Sequence, residues 1–223
     1  MKRVIATISA LALLCFALTG CGGTPTTTPS QSTTQNQNTE TQNSTKTTNP
    51  YASGTHHAIM KIKGYGQLKL ELYSDVAPKT VEEFASLVQK KYYNKKTIYA
   101  LINDLYVKLG DASGKTAGKY LVPGEYKDAG VTNTISLKQG VLAMSRTKNG
   151  KQSDASSLII FLSDVSYLDG KYAAFGKVTQ GIDILDNICS QLDPGTTGQK
   201  VSKNGTISKK KYQPVITSIE MVD

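Results

Sequence analysis

Residues Tyr167–Val178 read YLDGKYAAFGKV, and this stretch decides the fold. Its glycines, Gly170 and Gly176, place short glycine-containing turns between apolar residues. Glycine tolerates the backbone conformations that tight turns require, and short apolar runs between turns are typical of strands. The stretch therefore predicts a β-rich domain in which short strands follow one another closely.

Periodic patterns elsewhere in the chain predict more strands and two helices. Leu68, Leu70 and Leu72 alternate with charged residues, and this strand pairs as a hairpin with residues 58–63. Thr80 and Glu83 have the spacing of a capping box at a helix start. Helical stripes are formed by Val81, Phe84, Ala85 and Val88, and by Ile182, Leu185, Ile188 and Cys189. Further strands are expected at residues 141–144, 158–162 and 215–221. Many short strands with two helices predict a mainly-β closed barrel that is capped at its ends.

Six motifs resemble those of the cyclophilins, a family of peptidyl-prolyl cis-trans isomerases, and they occur in the family's order. The motifs lie at residues 76–81, 93–111, 123–126, 140–146, 155–157 and 167–178. The resemblance runs from about residue 58 to residue 222. It implies a closed antiparallel β-barrel capped by two α-helices. It also implies an enzyme that isomerises X–Pro peptide bonds and needs neither a cofactor nor a metal ion.

The proline site of this family departs from its usual pattern here. Residues 93–111 align without a gap to the family's active-site strands, and Ala100 falls on the catalytic arginine. The resemblance implies a substrate groove formed by Tyr99, Ala100, Leu105, Tyr106, Lys108, Ser145, Arg146, Ile160, Tyr167, Leu168 and Tyr172. No residue in this set is assigned as catalytic, because alanine stands at the position of the arginine.

The chemistry of isomerisation explains why Ala100 matters. Resonance gives the peptide bond a rotation barrier of about 18–20 kcal/mol, and an enzyme lowers it by binding the twisted amide better than the planar one. The family's arginine is understood to donate a hydrogen bond to the prolyl nitrogen, and alanine has no donor. By analogy with an oxyanion hole that loses one donor, the rate should fall by about 10²–10³. We therefore predict an isomerase homologue whose activity is weak or lost.

Three alternatives stay open at this point. The groove could bind peptides or proteins without catalysis, through the remaining apolar and tyrosine side chains. The groove could also be filled by core-like side chains and bind nothing. Finally, Lys108 or Arg146 could replace the missing arginine, although the lysine ammonium lacks the planar guanidinium fork.

The N-terminal residues predict export and membrane anchoring. Lys2 and Arg3 precede an uncharged apolar run, and Leu18–Cys21 resembles the lipobox of bacterial lipoproteins. We expect a signal peptide at residues 1–20, a lipid on Cys21, and a disordered Thr/Gln/Asn/Ser-rich linker through residue 55. The folded domain should then span residues 56–223. An ordinary signal peptide that is cut nearby is the alternative.

Composition limits the partners. The net charge is +9, and it becomes +7 when Lys2 and Arg3 are removed with the signal peptide. For an exported protein such a charge favours anionic lipids or wall polymers rather than nucleic acid. The Lys209–Lys211 run is interpreted as a solvated loop. We expect a monomer, held at the outer side of the cell membrane, whose partners are exported polypeptides or proline-containing segments.

Overall fold

The computed structural model describes residues 49–102, 105–192 and 200–223. The predicted signal peptide, the lipidation site Cys21 and most of the predicted linker lie outside the described residues. The first strand begins at Thr55, one residue before the predicted start of the domain.

Nine antiparallel strands in the described part of the chain form one sheet. Their order in the sheet is β3-β4-β7-β6-β8-β2-β1-β9, and β5 pairs with β7. The bounds are β1 Thr55–Ile62, β2 Gly66–Tyr73, β3 Thr97–Ile102, β4 Tyr106–Gly110, β5 Leu121–Pro123, β6 Val141–Arg146, β7 Gln152–Phe161, β8 Ala174–Gln180 and β9 Ile216–Met221. The mainly-β prediction is confirmed, and so is the first hairpin, in which Ala58 pairs with Leu70 and Met60 with Leu68.

The sheet curls, but its two ends do not pair along a full ladder. β3 and β9, at the ends of the strand order, meet at an isolated bridge between Thr97 and Val215. The amide of Ile98 also donates to the carbonyl of Pro214 at 2.9 Å. The described strands therefore form a curled antiparallel sheet, and closure of the predicted barrel is limited to this seam. Pro214 lacks the N–H that a continued ladder would need on this side.

Two α-helices, as predicted, accompany the sheet within the described ranges. They are α1, Pro78–Gln89, and α2, Ile182–Leu192. The predicted apolar stripe of α1 is buried in the core, as are Leu185 and Ile188 of α2, while Cys189 is half-buried. None of the described helices is both long and apolar enough to span a bilayer.

The start of α1 is capped by a distant side chain rather than by the predicted capping box. The helix begins one turn earlier, after Ala77, and Pro78 occupies its first position. The carboxylate of Glu125 accepts hydrogen bonds from the amides of Lys79, at 3.0 Å, and Thr80, at 2.8 Å. These amides would otherwise have no partner in the helix, so Glu125 takes the role of the N-cap side chain.

Buried apolar residues form two clusters on opposite faces of the sheet. The larger cluster fills the inside of the curl and includes Leu68, Phe84, Leu158 and Ile160. The smaller one consists of Leu137, Val141, Ala143, Ile159, Phe161, Val165 and Ala174. Because successive residues of a strand point to opposite faces, Leu158 and Ile160 lie inside while Ile159 and Phe161 lie outside. The outer cluster positions the candidate site.

The carboxylate of Asp111, which directly follows β4, organises a tight loop. It accepts hydrogen bonds from the amides and hydroxyls of Ser113 and Thr116, at 2.6–3.1 Å. Burial acts to raise the pKa of this carboxyl, but these hydrogen bonds outweigh it and hold the pKa well below the usual value. The ionised form is therefore favoured by folding.

Asp111→Asn is expected to lower the free energy of unfolding at pH 7 by about 1–3 kcal/mol, because charge-assisted hydrogen bonds are lost. A depressed carboxyl pKa contributes stability above the unfolded value of about 3.9, and that contribution disappears as the pH falls. Urea unfolding of the unsubstituted chain and of Asp111→Asn should be measured at pH 7, 5 and 3. The difference between their free energies of unfolding should become smaller at pH 3. Asp186→Asn, at an exposed helical position, is the control. A difference for Asp111→Asn that persists unchanged at pH 3 would contradict this account.

Candidate functional site

The candidate site lies on the outer face of β3, β4, β7 and β6. In the register of the sheet, Ala100 lies opposite Lys108, Lys108 opposite Ile159, and Ile159 opposite Ala143. Residues that oppose one another on neighbouring strands share a face and have Cβ atoms about 4.5–5.5 Å apart. A row of side chains therefore crosses four strands, with Ala100 at one end.

The floor of the site is the outer apolar cluster. Half-buried Leu105, Tyr106, Ile135, Leu168 and Tyr172 pack around it, and we call this combined surface the groove patch. Phe161 forms edge-on ring contacts with Tyr106, at a centroid distance of 5.9 Å, and with Tyr172, at 6.0 Å. The structure thus brings together four predicted groove residues, namely Leu105, Tyr106, Leu168 and Tyr172.

Ile160 does not belong to the groove patch, contrary to the sequence prediction. Its side chain is fully buried in the larger cluster inside the curl. The next residue, Phe161, takes the predicted place, because one step along a strand reverses the direction of the side chain. Ile159 and Phe161 are therefore the residues of β7 that the sequence analysis missed.

Ala100 contributes no polar side-chain atom to the site. It is 6% exposed. β3 carries a bulge between Ile98 and Ala100, and on its other side Ala100 forms a bridge with Thr206. The methyl group lies in a strand that is paired on both edges, so the backbone around it is held in place.

Tyr99, beside Ala100, has its hydroxyl engaged within the site. The hydroxyl donates to Oγ of Ser157 at 3.0 Å. Burial raises the pKa of Tyr99, with the Ser157 contact opposing this shift. The phenol is therefore neutral at physiological pH and can donate one hydrogen bond, which Ser157 already accepts.

Lys108 is the cation opposite Ala100. Its side chain is half-buried, and burial lowers its pKa, while the nearby charge of Asp154 acts in the other direction. A partly desolvated ammonium has fewer water molecules to compete with a ligand for its hydrogen bonds. Lys108 is therefore a hydrogen-bond donor that the site presents opposite Ala100.

Ser145 and Arg146 lie at the end of β6. The hydroxyl of Ser145 is buried and has no hydrogen-bond partner among the described residues. The guanidinium of Arg146 lies 5.5 Å from the ring centroid of Tyr172 and 3.8 Å from a carboxylate oxygen of Asp128. Arg146 is thus held at the Tyr172 side of the groove patch by a cation–π contact and a long ion pair.

Tyr167 is the most exposed of the predicted groove residues. It lies in a 3-10 turn, Ser166–Leu168, and 67% of its surface is accessible, whereas Leu168 in the same turn packs against the groove patch. Asp169 fixes this turn, because its carboxylate accepts hydrogen bonds from the amide of Leu137, at 2.7 Å, and the hydroxyl of Ser136, at 2.8 Å. The deciding stretch therefore builds one wall of the site.

A second connection, missed from the sequence, comes from Asn133. Its side-chain amide donates to the carbonyls of Glu125, at 2.9 Å, and Ala174, at 2.8 Å. This amide ties the loop that carries Ile135 and Leu137 to the start of β8. Single polar residues in loops carry no periodic signal, so the sequence does not indicate this connection.

No group of three or more His, Cys, Asp or Glu side chains in the described ranges is arranged to hold a metal ion. His56 and His57 lie at the start of β1, where each ring nitrogen Nδ1 contacts the carboxylate of Asp223, at 2.6 and 3.1 Å. This arrangement fastens the end of the described chain to the first strand, away from the groove patch.

The chain is similar to known proteins in both sequence and structure. The family model for cyclophilin type peptidyl-prolyl cis-trans isomerase/CLD matches residues 57–212. Peptidyl-prolyl cis-trans isomerase 10 of Caenorhabditis elegans is 37% identical over 125 residues, which cover 55% of this chain and 76% of that protein. Human peptidyl-prolyl cis-trans isomerase-like 1 is 32% identical over 124 residues, with 55% and 74% covered.

A solved structure shares the fold. It is a cyclophilin type peptidyl-prolyl cis-trans isomerase of Cryptosporidium parvum, crystallised in the presence of the dipeptide Ala-Pro. The TM-score is 0.59 at 21% sequence identity, and the match covers 75% of this chain and 99% of that one. At this level of identity, the comparison supports the curled-sheet architecture.

Proposed function

We propose a function from the premise that the chain belongs to the cyclophilin-type peptidyl-prolyl cis-trans isomerase family. The chain binds proline-containing segments of exported polypeptides at the groove patch, and it isomerises their X–Pro bonds weakly or not at all. The observation that carries this proposal is the contrast along one face of the sheet. The apolar floor and its half-buried rim are present, while Ala100, which aligns in sequence with the family's arginine, supplies only a methyl group.

The rim of the groove patch supports binding. Leu105, Tyr106, Leu168 and Tyr172 are only half-buried, so they retain apolar surface that a proline ring can cover. Each square ångström of apolar surface removed from water contributes about 25 cal/mol. The Cryptosporidium parvum relative was crystallised in the presence of Ala-Pro, which agrees with a small prolyl ligand for a groove of this family.

The polar side of the same face supports weak catalysis. Isomerisation needs a donor that meets the prolyl nitrogen only when the amide twists. The hydroxyl of Tyr99 is already bonded to Ser157, and Arg146 is held near Tyr172 and Asp128. Lys108 remains as a second candidate donor because it faces Ala100 across the strand pair. An active isomerase that uses Lys108 is therefore the alternative function.

Tyr106→Ala is expected to weaken binding of a proline-containing peptide by about tenfold or more, which corresponds to about 1.4 kcal/mol, because an aromatic wall of the groove patch is lost. Isothermal titration of a short Ala-Pro peptide into the full chain measures this. Tyr65→Ala is the matched control, since Tyr65 packs on the larger cluster. Equal losses in the two variants, or none in Tyr106→Ala, would exclude the groove patch as the peptide site.

The proposal also places the domain outside the cell membrane, on a lipid attached to Cys21. The support is the signal-like N-terminus, Lys2-Arg3 followed by an apolar run and the Leu18–Cys21 box. Two or more acyl chains give stable anchoring, whereas a single chain binds only marginally. A linker of about 35 residues would have a root-mean-square span of roughly 30–35 Å, which would give the groove access to polypeptides that emerge nearby.

Cys21→Ser is expected to move the protein from the membrane fraction to the soluble fraction, because the thiol that accepts the lipid is lost. Fractionation and immunoblotting of the processed protein measure this, with Cys189→Ser as the control. Retention of the processed Cys21→Ser variant in the membrane fraction would show that another part of the chain provides the anchor.

A further inference from the structure

A cleft of about 360 Å³ lies next to the seam where β3 approaches the segment before β9. Lys95 and Lys96 line it immediately before β3, and Lys210 and Gln213 line it before β9. This cleft is separate in sequence and position from the groove patch, because it shares no lining residue with it. It also gives a location to Lys210, part of the lysine run that the sequence analysis treated as a solvated loop.

The cleft carries unbalanced positive charge. None of the ammonium groups of Lys95, Lys96 and Lys210 forms an ion pair with a residue in the described ranges. Lys96 is held over the ring of Tyr92, with its nitrogen 4.8 Å from the centroid. Asp111 is the acidic residue of the lining, and its two oxygens are already occupied by the Ser113 and Thr116 donors.

Lys95 adopts a backbone conformation that is unfavourable for lysine. Its φ is +63°, in the left-handed region that costs a residue with a side chain about 1–2 kcal/mol. Its amide donates to the carbonyl of Ile216 at 2.8 Å, so pairing with the start of β9 maintains this conformation. The backbone pairing therefore fixes the point at the edge of the cleft from which the Lys95 side chain extends.

We propose that this cleft binds a doubly charged phosphate group, of the kind found in inorganic phosphate or a phosphomonoester. Three ammonium groups and one carboxylate leave a charge of +2 around the cleft, and a phosphomonoester carries about −1.5 to −2 near pH 7. The hydroxyl of Ser208, which also lines the cleft, adds a neutral donor. The volume falls within the range of about 300–1,000 Å³ that is usual for small-ligand sites.

The position of the cleft gives this ligand a measurable effect. A phosphate held by Lys95 and Lys210 connects the two ends of the sheet, where the fold has only the Thr97–Val215 bridge and a few hydrogen bonds. A ligand that binds the folded state alone stabilises it. Phosphate therefore stabilises the seam, independently of any peptide in the groove patch.

The test compares the thermal unfolding of the full chain in phosphate and in chloride at equal ionic strength and pH. Phosphate at about ten times its Kd should raise the Tm by about 3–5 °C. Lys95→Ala combined with Lys210→Ala should abolish this rise. Lys69→Ala combined with Lys148→Ala removes the same charge from exposed positions outside the cleft and should leave the rise intact. An absent rise, or equal loss in both double variants, overturns the proposal.

A second arm identifies the source of the phosphate group. The full chain carrying Cys21→Ser is mixed with vesicles of phosphatidic acid in phosphatidylcholine, and with phosphatidylcholine alone. Co-sedimentation with the first vesicles, lost in the Lys95/Lys210 double variant, assigns the cleft to a lipid headgroup. A phosphate-dependent Tm rise without co-sedimentation assigns it to a soluble phosphate. If the Lys95/Lys210 double variant still co-sediments and phosphate gives no Tm rise, the cleft is not the phosphate site.

Discussion

The full chain is expected to accelerate X–Pro isomerisation with a kcat/KM below about 10⁴ M⁻¹ s⁻¹, the lower end of the range of efficient enzymes. Ala100 supplies no donor to the twisted amide, and losing one such donor costs about 10²–10³ in rate. If the groove patch orients the proline as proposed, binding of the peptide and acceleration of the reaction should be separable. A coupled-protease or NMR exchange assay on an Ala-Pro peptide measures the rate, and calorimetry measures the affinity.

Two substitutions make this expectation specific. Ala100→Arg should recover some of the rate, because it restores a donor. The recovery should be incomplete, because the new guanidinium lies opposite the Lys108 ammonium and is repelled by it. Adding Lys108→Gln to Ala100→Arg should raise the rate further. If the unsubstituted chain reaches 10⁴ M⁻¹ s⁻¹ and Lys108→Ala removes that activity while Arg146→Ala does not, then Lys108 is the donor and the alternative function is correct.

Gly110→Ala is expected to destabilise the domain by about 2–5 kcal/mol, enough to unfold much of a protein of marginal stability. Gly110 ends β4 with a φ of +120°, which is strained for a residue with a side chain. A Cβ there would also collide with the carbonyl oxygen of Ser156 and lie 3.1 Å from the Cα of Ser157. These are backbone atoms of the neighbouring strand, so relief requires that β4 and β7 separate.

Gly150→Ala is the matched control for the collision. Gly150 also has a positive φ, +65°, but nothing lies within 4 Å of a Cβ built there. Its expected cost is therefore the backbone strain alone, about 1–2 kcal/mol. Urea denaturation of the two variants measures the difference in their free energies of unfolding. Equal destabilisation would mean that β7 moves away from the new Cβ at no cost in stability.

Elements with strong periodicity were predictable from the sequence, because only one face of each such element packs against the core. The alternation of Leu68, Leu70 and Leu72 and the helical stripe from Val81 to Val88 correspond to buried faces in the structure. The predicted turn at Gly170 is present and follows the Ser166–Leu168 wall of the candidate site, whereas Gly176 lies within β8 rather than in a turn. Much of the fold therefore follows from local patterns.

The face on which β7 presents its side chains could not be predicted in the same way. Its run from Leu158 to Phe161 is apolar throughout, because both sides of the strand are buried, and it shows no alternation that would fix the direction of each side chain. The comparison with the family's motif therefore assigned Ile160 to the groove, one residue away from Phe161. The pairing of Tyr106 with Phe161 in β4 and β7 resolves the choice.

The cap of α1 was unpredictable for another reason. Capping boxes are local, whereas the carboxylate that satisfies the amides of Lys79 and Thr80 belongs to Glu125, 45 residues beyond Thr80. The Pro123–Tyr126 motif was recognised only as a resemblance. Nothing in the spacing along the chain connects it with the start of the helix.

The Glu125 cap makes the helix and the distant loop parts of one cooperative folding unit. A peptide of residues 74–91 alone lacks the carboxylate and, at this length, is expected to be largely unstructured in water. In the folded domain, the amides of Lys79 and Thr80 can exchange with solvent when either the helix or the Glu125 loop opens. Their protection against hydrogen exchange is therefore set by whichever of these two segments, remote from each other in the chain, opens more readily.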